Sequence, residues 1–184
     1  MLADKRRAVT AHPLAAIVSE LDRFGISHML AGSFASTFHG DPRTTNDIDL
    51  VIDPSHEQLD RFVRGLDAER FYVSAEAARE AFEQRRQFNV VLLDSGWKAD
   101  LIIRKERPFS RAEFGRRQPA EIAGVRVHVA TAEDTIIAKL EWARAGESER
   151  QLRDVVGILS VSGEGLDREY LMRWITELGL TEMW

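Results

Sequence analysis

Acidic and apolar side chains alternate in Asp47-Ile48-Asp49-Leu50-Val51-Ile52, and this pattern predicts a β-strand over residues 48–52. Side chains point alternately to the two faces of a strand, so the even-numbered residues are expected to face a hydrophobic core. Asp47 and Asp49 then share the opposite face, with Cα atoms roughly 6.5–7 Å apart in strand geometry. Two carboxylates this close repel each other unless a cation lies between them. The stretch therefore predicts a cation site.

A second motif, Gly32-Ser33, precedes Asp47 by thirteen intervening residues. It stands between a short apolar strand, residues 28–31, and a short predicted helix, residues 34–39. Glycine permits close backbone approach, and a serine hydroxyl together with helix N-terminal N–H groups can bind phosphate. Arg43 lies in the following loop and is expected to neutralise phosphate charge. The alternatives are a helix-capping role for Ser33 and a surface ion pair for Arg43.

Asp100 is the candidate third carboxylate, because it interrupts the otherwise apolar strand of residues 99–103. The turn Asp94-Ser95-Gly96 joins this strand to residues 88–93, which predicts a hairpin and hence a mixed sheet. If the strand that carries Asp100 lies beside residues 48–52, the three aspartates converge. That arrangement is the layout of a two-metal phosphoryl-transfer site.

Carboxylate oxygens are hard ligands, so the predicted metal is Mg²⁺ or Mn²⁺ rather than zinc. The third carboxylate is expected to deprotonate an acceptor hydroxyl or to hold metal against it. An Asp-x-Asp pair is common by chance, and the alternative is an ordinary turn or strand-end role. The predicted catalytic and metal-binding residues are Asp47, Asp49 and Asp100.

These residues resemble the nucleotidyltransferase superfamily of the DNA polymerase β type, whose signature is Gly-Ser, a gap, Asp-x-Asp and a distant third Asp. Ala31-Gly32-Ser33, Asp47-Ile48-Asp49 and Asp100 match it in order and spacing. The resemblance implies an NTP substrate and transfer of NMP to a hydroxyl of RNA, protein or a small molecule. It also implies that Gly32 and Ser33 position phosphate while the aspartates bind metal and activate the acceptor.

Within that superfamily the chain looks most similar to the AbiE-type toxin nucleotidyltransferases and their uncharacterised bacterial relatives. The matching stretches are residues 43–50, Ile136-Ile137-Ala138-Lys139 and Arg153-Asp154. The resemblance implies that Lys139 and Asp154 bind the nucleotide, and it suggests a tRNA or protein acceptor and an antitoxin partner. Charged residues on helices usually face solvent, which is the alternative for both.

The pattern predicts an α/β protein of the nucleotidyltransferase fold, with a mixed β-sheet flanked by helices and a helical C-terminal tail. We predict a core domain at residues 1–130 and a helical segment at 131–184 packed on it. Asp53-Pro54 is expected to start a helix, and Thr131 to cap another. Three tryptophans at helical positions are expected to pack the tail or an oligomer interface rather than stack a base: Trp142, Trp174 and Trp184.

The composition narrows the class of protein. The 184 residues include no cysteine, which excludes disulfides and thiolate metal sites. Residues 1–10 are charged and show no apolar signal region, and no stretch is long enough to span a membrane, so a cytoplasmic protein is expected. A net charge of −5 argues against a generic nucleic-acid binder.

Two other classes of function stay open from the sequence. One is a catalytically silent module that binds a nucleotide or a partner, for instance as half of a toxin–antitoxin pair. The other is a metal-dependent phosphohydrolase, since clustered aspartates also serve there. The lack of clustered histidines counts against the phosphohydrolase.

Overall fold

The computed structural model describes residues 12–146 and 148–184, so the sequence-based expectation of no signal region at residues 1–10 lies outside the described residues. The strands are β1 Ser27–Leu30, β2 Asp47–Asp53, β3 Phe71–Val73, β4 Gln87–Leu92, β5 Lys98–Ile103, β6 Gln118–Ile122 and β7 Val125–Val129. The helices are α1 Pro13–Arg23, α2 Gly32–His39, α3 His56–Gly65, α4 Ala75–Gln84, α5 Pro108–Arg116, α6 Ala132–Arg144, α7 Ser148–Ser162 and α8 Arg168–Glu177.

The strands form one mixed sheet in the order β3-β4-β5-β2-β1-β7-β6. β2 lies near its centre, hydrogen-bonded in parallel to β5 and antiparallel to β1. The predicted hairpin is present as the antiparallel pair β4 and β5. The predicted fold class, a mixed sheet flanked by helices, is therefore confirmed, and the parallel crossover brings two strands distant in sequence together at the centre.

The alternation in β2 holds as predicted: Ile48, Leu50 and Ile52 are fully buried. They belong to a hydrophobic cluster that joins the sheet to α1, α3 and α4. Burial of such side chains stabilises a fold by roughly 1.5–3 kcal/mol each. This cluster fixes β2 in place, so the polar residues on its other face have a rigid support.

A second hydrophobic cluster joins α5, α6, α7 and α8, with Ile137, Ile158 and Trp174 among its buried residues. Arg107, at the start of α5, binds Glu141 of α6 through two bonds of 2.6 Å. α5 thus packs with the C-terminal helices although it precedes residue 130. The division of the chain at residue 130 stays a prediction.

One helix start differs from the sequence-based expectation. α3 begins at His56 rather than at Asp53-Pro54, because Ser55 caps it. The Ser55 hydroxyl accepts from the Gln58 backbone N–H at 3.1 Å, and the Gln58 side chain accepts from the Ser55 N–H at 2.8 Å. This reciprocal capping box satisfies two otherwise free backbone donors. Asp53 instead ends β2 and pairs with Arg104 at 3.0 Å.

Within residues 12–146 and 148–184, no helix is long and apolar enough to cross a membrane.

Glu113 of α5 yields a prediction about stability. It is only 8% exposed, and burial, with the nearby charge of Asp134, raises its pKa to about 8. The folded protein therefore holds a proton that the unfolded chain releases above its ordinary pKa. The stability that this proton provides is complete below about pH 4.5 and is lost as pH rises through about 8.

We expect Glu113→Gln to remove this dependence. Between about pH 5 and about pH 9 the unfolding temperature of the wild type should fall relative to that of the variant, as followed by circular dichroism. Glu83→Gln, at an exposed position on α4, is the matched control and should track the wild type. Parallel pH profiles for the wild type and Glu113→Gln would contradict the assignment.

Candidate active site

The register of β2 against β5 sets the geometry of the candidate site. Asp49 pairs with Asp100, and Asp47 pairs with Lys98. Because β2 and β5 alternate in phase, all four side chains lie on the face opposite the buried isoleucines. The structure thus brings Asp47, Asp49 and Asp100 together, as the sequence suggested. Their roles in metal binding and catalysis stay predictions.

Gly32 allows the N-terminus of α2 to approach Asp49 closely. Its φ is +54°, in the left-handed region, and a Cβ built on it would lie 1.9 Å from Asp49 Oδ2. The Ser33 backbone N–H donates to that same oxygen at 3.4 Å. The Ala31 N–H also donates to the Asp49 carbonyl at 2.9 Å, which ties the end of β1 to β2. Any side chain at position 32 would displace the Asp49 carboxylate.

The surroundings of Asp49 disfavour the charged form of its carboxylate. Burial raises the pKa of Asp49, the Ser33 N–H opposes the rise, and the charge of Asp100 adds to it. Asp100 is 8% exposed, and its Oδ1 has no hydrogen-bond partner. A buried acceptor without a partner costs free energy, which a bound cation would recover.

Lys98 is a residue of the site that the sequence-based reasoning missed. Its Nζ lies 3.2 Å from Asp100 Oδ2 and 3.9 Å from Asp47 Oδ1. Burial acts to lower the pKa of Lys98, but the hydrogen bond and charge of Asp100 outweigh it and raise the pKa. The signal was present in the sequence, because Lys98 stands two residues before Asp100 and so shares its face of the strand.

The donor set fits a hard divalent cation: three carboxylates, an unpartnered buried oxygen on Asp100 and no soft ligand among them. As the side chains stand, however, no group of three acidic, histidine or cysteine residues in the described part of the chain could hold a metal ion. Lys98 lies between two of the carboxylates instead. The ammonium group of Lys98 would repel a cation bound by these two carboxylates.

A second group of polar residues lies beside α2. Lys139 of α6 is 5% exposed, and its Nζ lies 2.7 Å from Asp154 Oδ2 on α7. Arg43 Nε lies 3.1 Å from Asp154 Oδ1, and Arg43 also donates to the Ser33 hydroxyl. Ser36, one helical turn after Ser33, donates to Asp154 at 3.3 Å. The alternative of solvent-facing Lys139 and Asp154 is therefore wrong: the two residues pair with each other, and Asp154 also pairs with Arg43.

Asp154 is the centre of this group. Its burial acts to raise its pKa, but the hydrogen bond and charge of Lys139, aided by Arg43, outweigh this and lower the pKa. Two cationic side chains thus share one carboxylate beside the N-terminus of α2.

The position of Asp154 depends on a close crossing of α2 and α7. A Cβ on Gly40, at the end of α2, would lie 2.7 Å from the Ile158 backbone nitrogen. Only glycine lets the two backbones approach this closely. The crossing fixes Asp154 one turn before Ile158 against Ser36.

Residues of both groups line one cleft of about 650 Å³, which is in the usual range for small-molecule sites. Asp49, Asp100 and Lys139 line it together with the aromatic side chains of Trp142 and Phe109. Trp142 is 51% exposed, so it does not pack within the helical tail, whereas Trp174 does. A half-exposed tryptophan in a cleft offers a flat apolar surface to a ligand.

Solved structures of nucleotidyltransferases share this fold. The antibiotic-resistance factor ANT(2'')-Ia matches with a TM-score of 0.57 and 14% identity, covering 92% of this chain and 93% of that one. Lincomycin-bound LnuA, a lincosamide antibiotic adenylyltransferase, matches with a TM-score of 0.54 and 12% identity over 80% and 95%. An antigenic nucleotidyltransferase-like protein from Paracoccidioides brasiliensis gives 0.55 and 17% over 79% and 73%.

No protein-family model matches the sequence, and comparison with curated proteins gives no significant match. At these identities the solved structures establish the nucleotidyltransferase fold and no more. Closeness to the AbiE-type toxins stays a prediction.

Gly32 provides a test of the close approach to Asp49. Gly32→Ala places an alanine in the left-handed backbone region and also creates a clash with Asp49. Gly96→Ala creates only the backbone strain, because the φ of Gly96 is +71° and nothing lies within 4 Å of the added Cβ. The strain common to both is about 1 kcal/mol. We expect Gly32→Ala to lower the free energy of unfolding by about 2 kcal/mol more than Gly96→Ala, measured in urea. Equal losses would refute the role assigned to this contact.

Proposed function

We propose that this chain is a metal-dependent nucleotidyltransferase that transfers NMP from an NTP to a hydroxyl acceptor and releases pyrophosphate. One observation carries the proposal: the β2–β5 register gathers Asp47, Asp49 and Asp100 on one face, next to the N-terminus of α2. A nucleotidyltransferase fold with its acidic residues in this place supports transfer chemistry over simple cation storage.

Asp47, Asp49 and Asp100 would hold Mg²⁺ or Mn²⁺, which when bound supplies charge neutralisation for the triphosphate and the leaving pyrophosphate. Asp100 Oδ1, which has no hydrogen-bond partner, is the atom we assign to accept the proton of the acceptor hydroxyl. The acceptor oxygen then bonds to the α-phosphorus, and the bond from that phosphorus to the β-phosphate bridging oxygen breaks. The proton of the hydroxyl is transferred to Asp100, and the electron pair of the broken P–O bond stays on the leaving pyrophosphate.

The group around Asp154 would bind the triphosphate. Gly32 and Ser33, the first residues of α2, line the cleft, and N–H groups at a helix N-terminus bind phosphate readily. Arg43 contributes a planar guanidinium and Lys139 a point charge. Asp154 would orient both cations, because it forms an ion pair with each of them.

We infer that the acceptor is a small molecule rather than a large RNA. The net charge of −5 offers no general attraction to a polyanion. The solved ANT(2'')-Ia complex contains adenylyl-2''-tobramycin, and LnuA contains lincomycin. These two proteins match this chain over most of their lengths, which supports the same acceptor class. An antitoxin partner and a tRNA or protein acceptor stay predictions from the sequence alone.

Asp49→Asn tests the proposed activity. We expect the variant to lose about three orders of magnitude in NMP transfer, because an amide is a poor metal ligand and the carboxylate charge is gone. The assay measures pyrophosphate release and label transfer from each NTP with Mg²⁺, offering an aminoglycoside, a lincosamide and bulk tRNA as acceptors. Asp94→Asn, in the exposed β4–β5 turn, is the matched control and should retain activity. Activity that survives Asp49→Asn would overturn the assignment.

A silent nucleotide-binding module is the second candidate, and one observation favours it. Lys98 lies among the carboxylates, where a catalytic cation has to bind. Calorimetry with NTP and Mg²⁺ separates the two candidates. Tight binding with no turnover on any acceptor would support the module, and turnover abolished by Asp49→Asn would support the enzyme.

A further inference from the structure

We propose that Lys98 is a built-in counter-cation that competes with divalent metal for the aspartates, so that this side chain sets the metal affinity of the site. The inference rests on the proposed cation site. Lys98 would hold the carboxylates together while no metal is bound and would have to leave when metal enters.

The strand register makes the placement of Lys98 a property of the fold. Lys98 is paired with Asp47 across the β2–β5 ladder and stands two residues before Asp100 on its own strand. Its side chain therefore lies on the acidic face whatever rotamer it adopts. A flexible loop lysine would have no such constraint.

The contacts of Lys98 involve the oxygens that a metal ion would need. Its ammonium group lies 3.2 Å from Asp100 Oδ2 and 3.9 Å from Asp47 Oδ1, and so bridges the two strands. A divalent ion that binds these carboxylates would be repelled by an ammonium group at the same position. Lys98 in this position therefore opposes the binding of a divalent ion.

Lys98 neutralises the negative charge of the site only in part. Its ammonium group contacts two of the three carboxylates, and Asp100 Oδ1 is left without a hydrogen-bond partner. The Lys98 side chain is 40% exposed, so solvent is available to receive the ammonium group when it moves away. The ion pairs of Lys98 thus reduce the repulsion between the carboxylates, but they are weak enough for a divalent ion to displace the ammonium group.

The test measures metal binding by the full chain without nucleotide. Free Mn²⁺ is followed by electron paramagnetic resonance during titration of wild type, Lys98→Met and Lys105→Met. Lys105 is an exposed lysine that lines the same cleft, so its variant controls for the loss of one positive charge. We expect Lys98→Met to bind Mn²⁺ about fivefold more tightly than wild type, as removal of one partly exposed ion pair implies, and Lys105→Met to change little.

A second measurement addresses the metal-free protein. In the presence of a chelator, Lys98→Met should unfold at a lower temperature than wild type, and added Mn²⁺ should raise its unfolding temperature more. Lys98→Arg keeps a cation at the position and should bind Mn²⁺ with an affinity nearer to that of wild type than to that of Lys98→Met.

The outcomes separate this inference from the proposed function. Equal or weaker Mn²⁺ binding by Lys98→Met, with measurable binding by wild type, overturns the role of Lys98 alone. An equal gain in Lys105→Met also overturns it, because the effect would then be general electrostatics. Failure of wild type and Lys98→Met alike to bind Mn²⁺ overturns the cation site and the inference together.

Discussion

Parallel hydrogen bonding between β2 and β5 is the constraint on which the rest of the site depends. It places Asp49 directly beside Asp100, so the fold concentrates negative charge on a small area of one sheet face. Such an arrangement is unfavourable by itself. The hydrophobic cluster beneath Ile48 and Leu50 offsets it, because that burial cannot be kept if β2 turns over or slips by one residue. The burial of one face thus holds the carboxylates of the other face in place.

Further charged residues of the site come from the helices and from one loop. The strands contribute three carboxylates and Lys98 to the site, whereas Lys139 comes from α6 and Arg43 from the loop before β2. Asp154 joins these two cations to α2, and the second hydrophobic cluster holds α6 and α7 in position. The cleft is therefore lined by residues from elements of both hydrophobic clusters: Asp49 and Asp100 on the sheet, and Lys139 on α6.

The sequence predicts those features that depend on local spacing. Period-two alternation identified β2 and its two aspartates, and the hairpin turn identified the mixed sheet. Features that depend on tertiary neighbours were harder to predict from the sequence. Ser55 and Asp53 are both good caps, and only the side chain of Gln58 decides between them. Lys98 was overlooked since a lysine at a strand end ordinarily faces solvent, and its partner across the ladder comes from a strand about fifty residues earlier in the chain. Trp142 has helical spacing, but spacing alone does not say which helix faces stay uncovered.

The crossing of α2 and α7 at Gly40 bears on how proteins with this architecture can diversify. Backbone lies against backbone there, so neither helix can shift without losing the alignment of Ser36 with Asp154. The cleft is lined at Trp142 and α5 by side chains rather than by crossing main chains, so its shape there can change without moving α2 or α7. Substitutions at those side chains would change which molecules fit the cleft and would leave the crossing of the two helices in place.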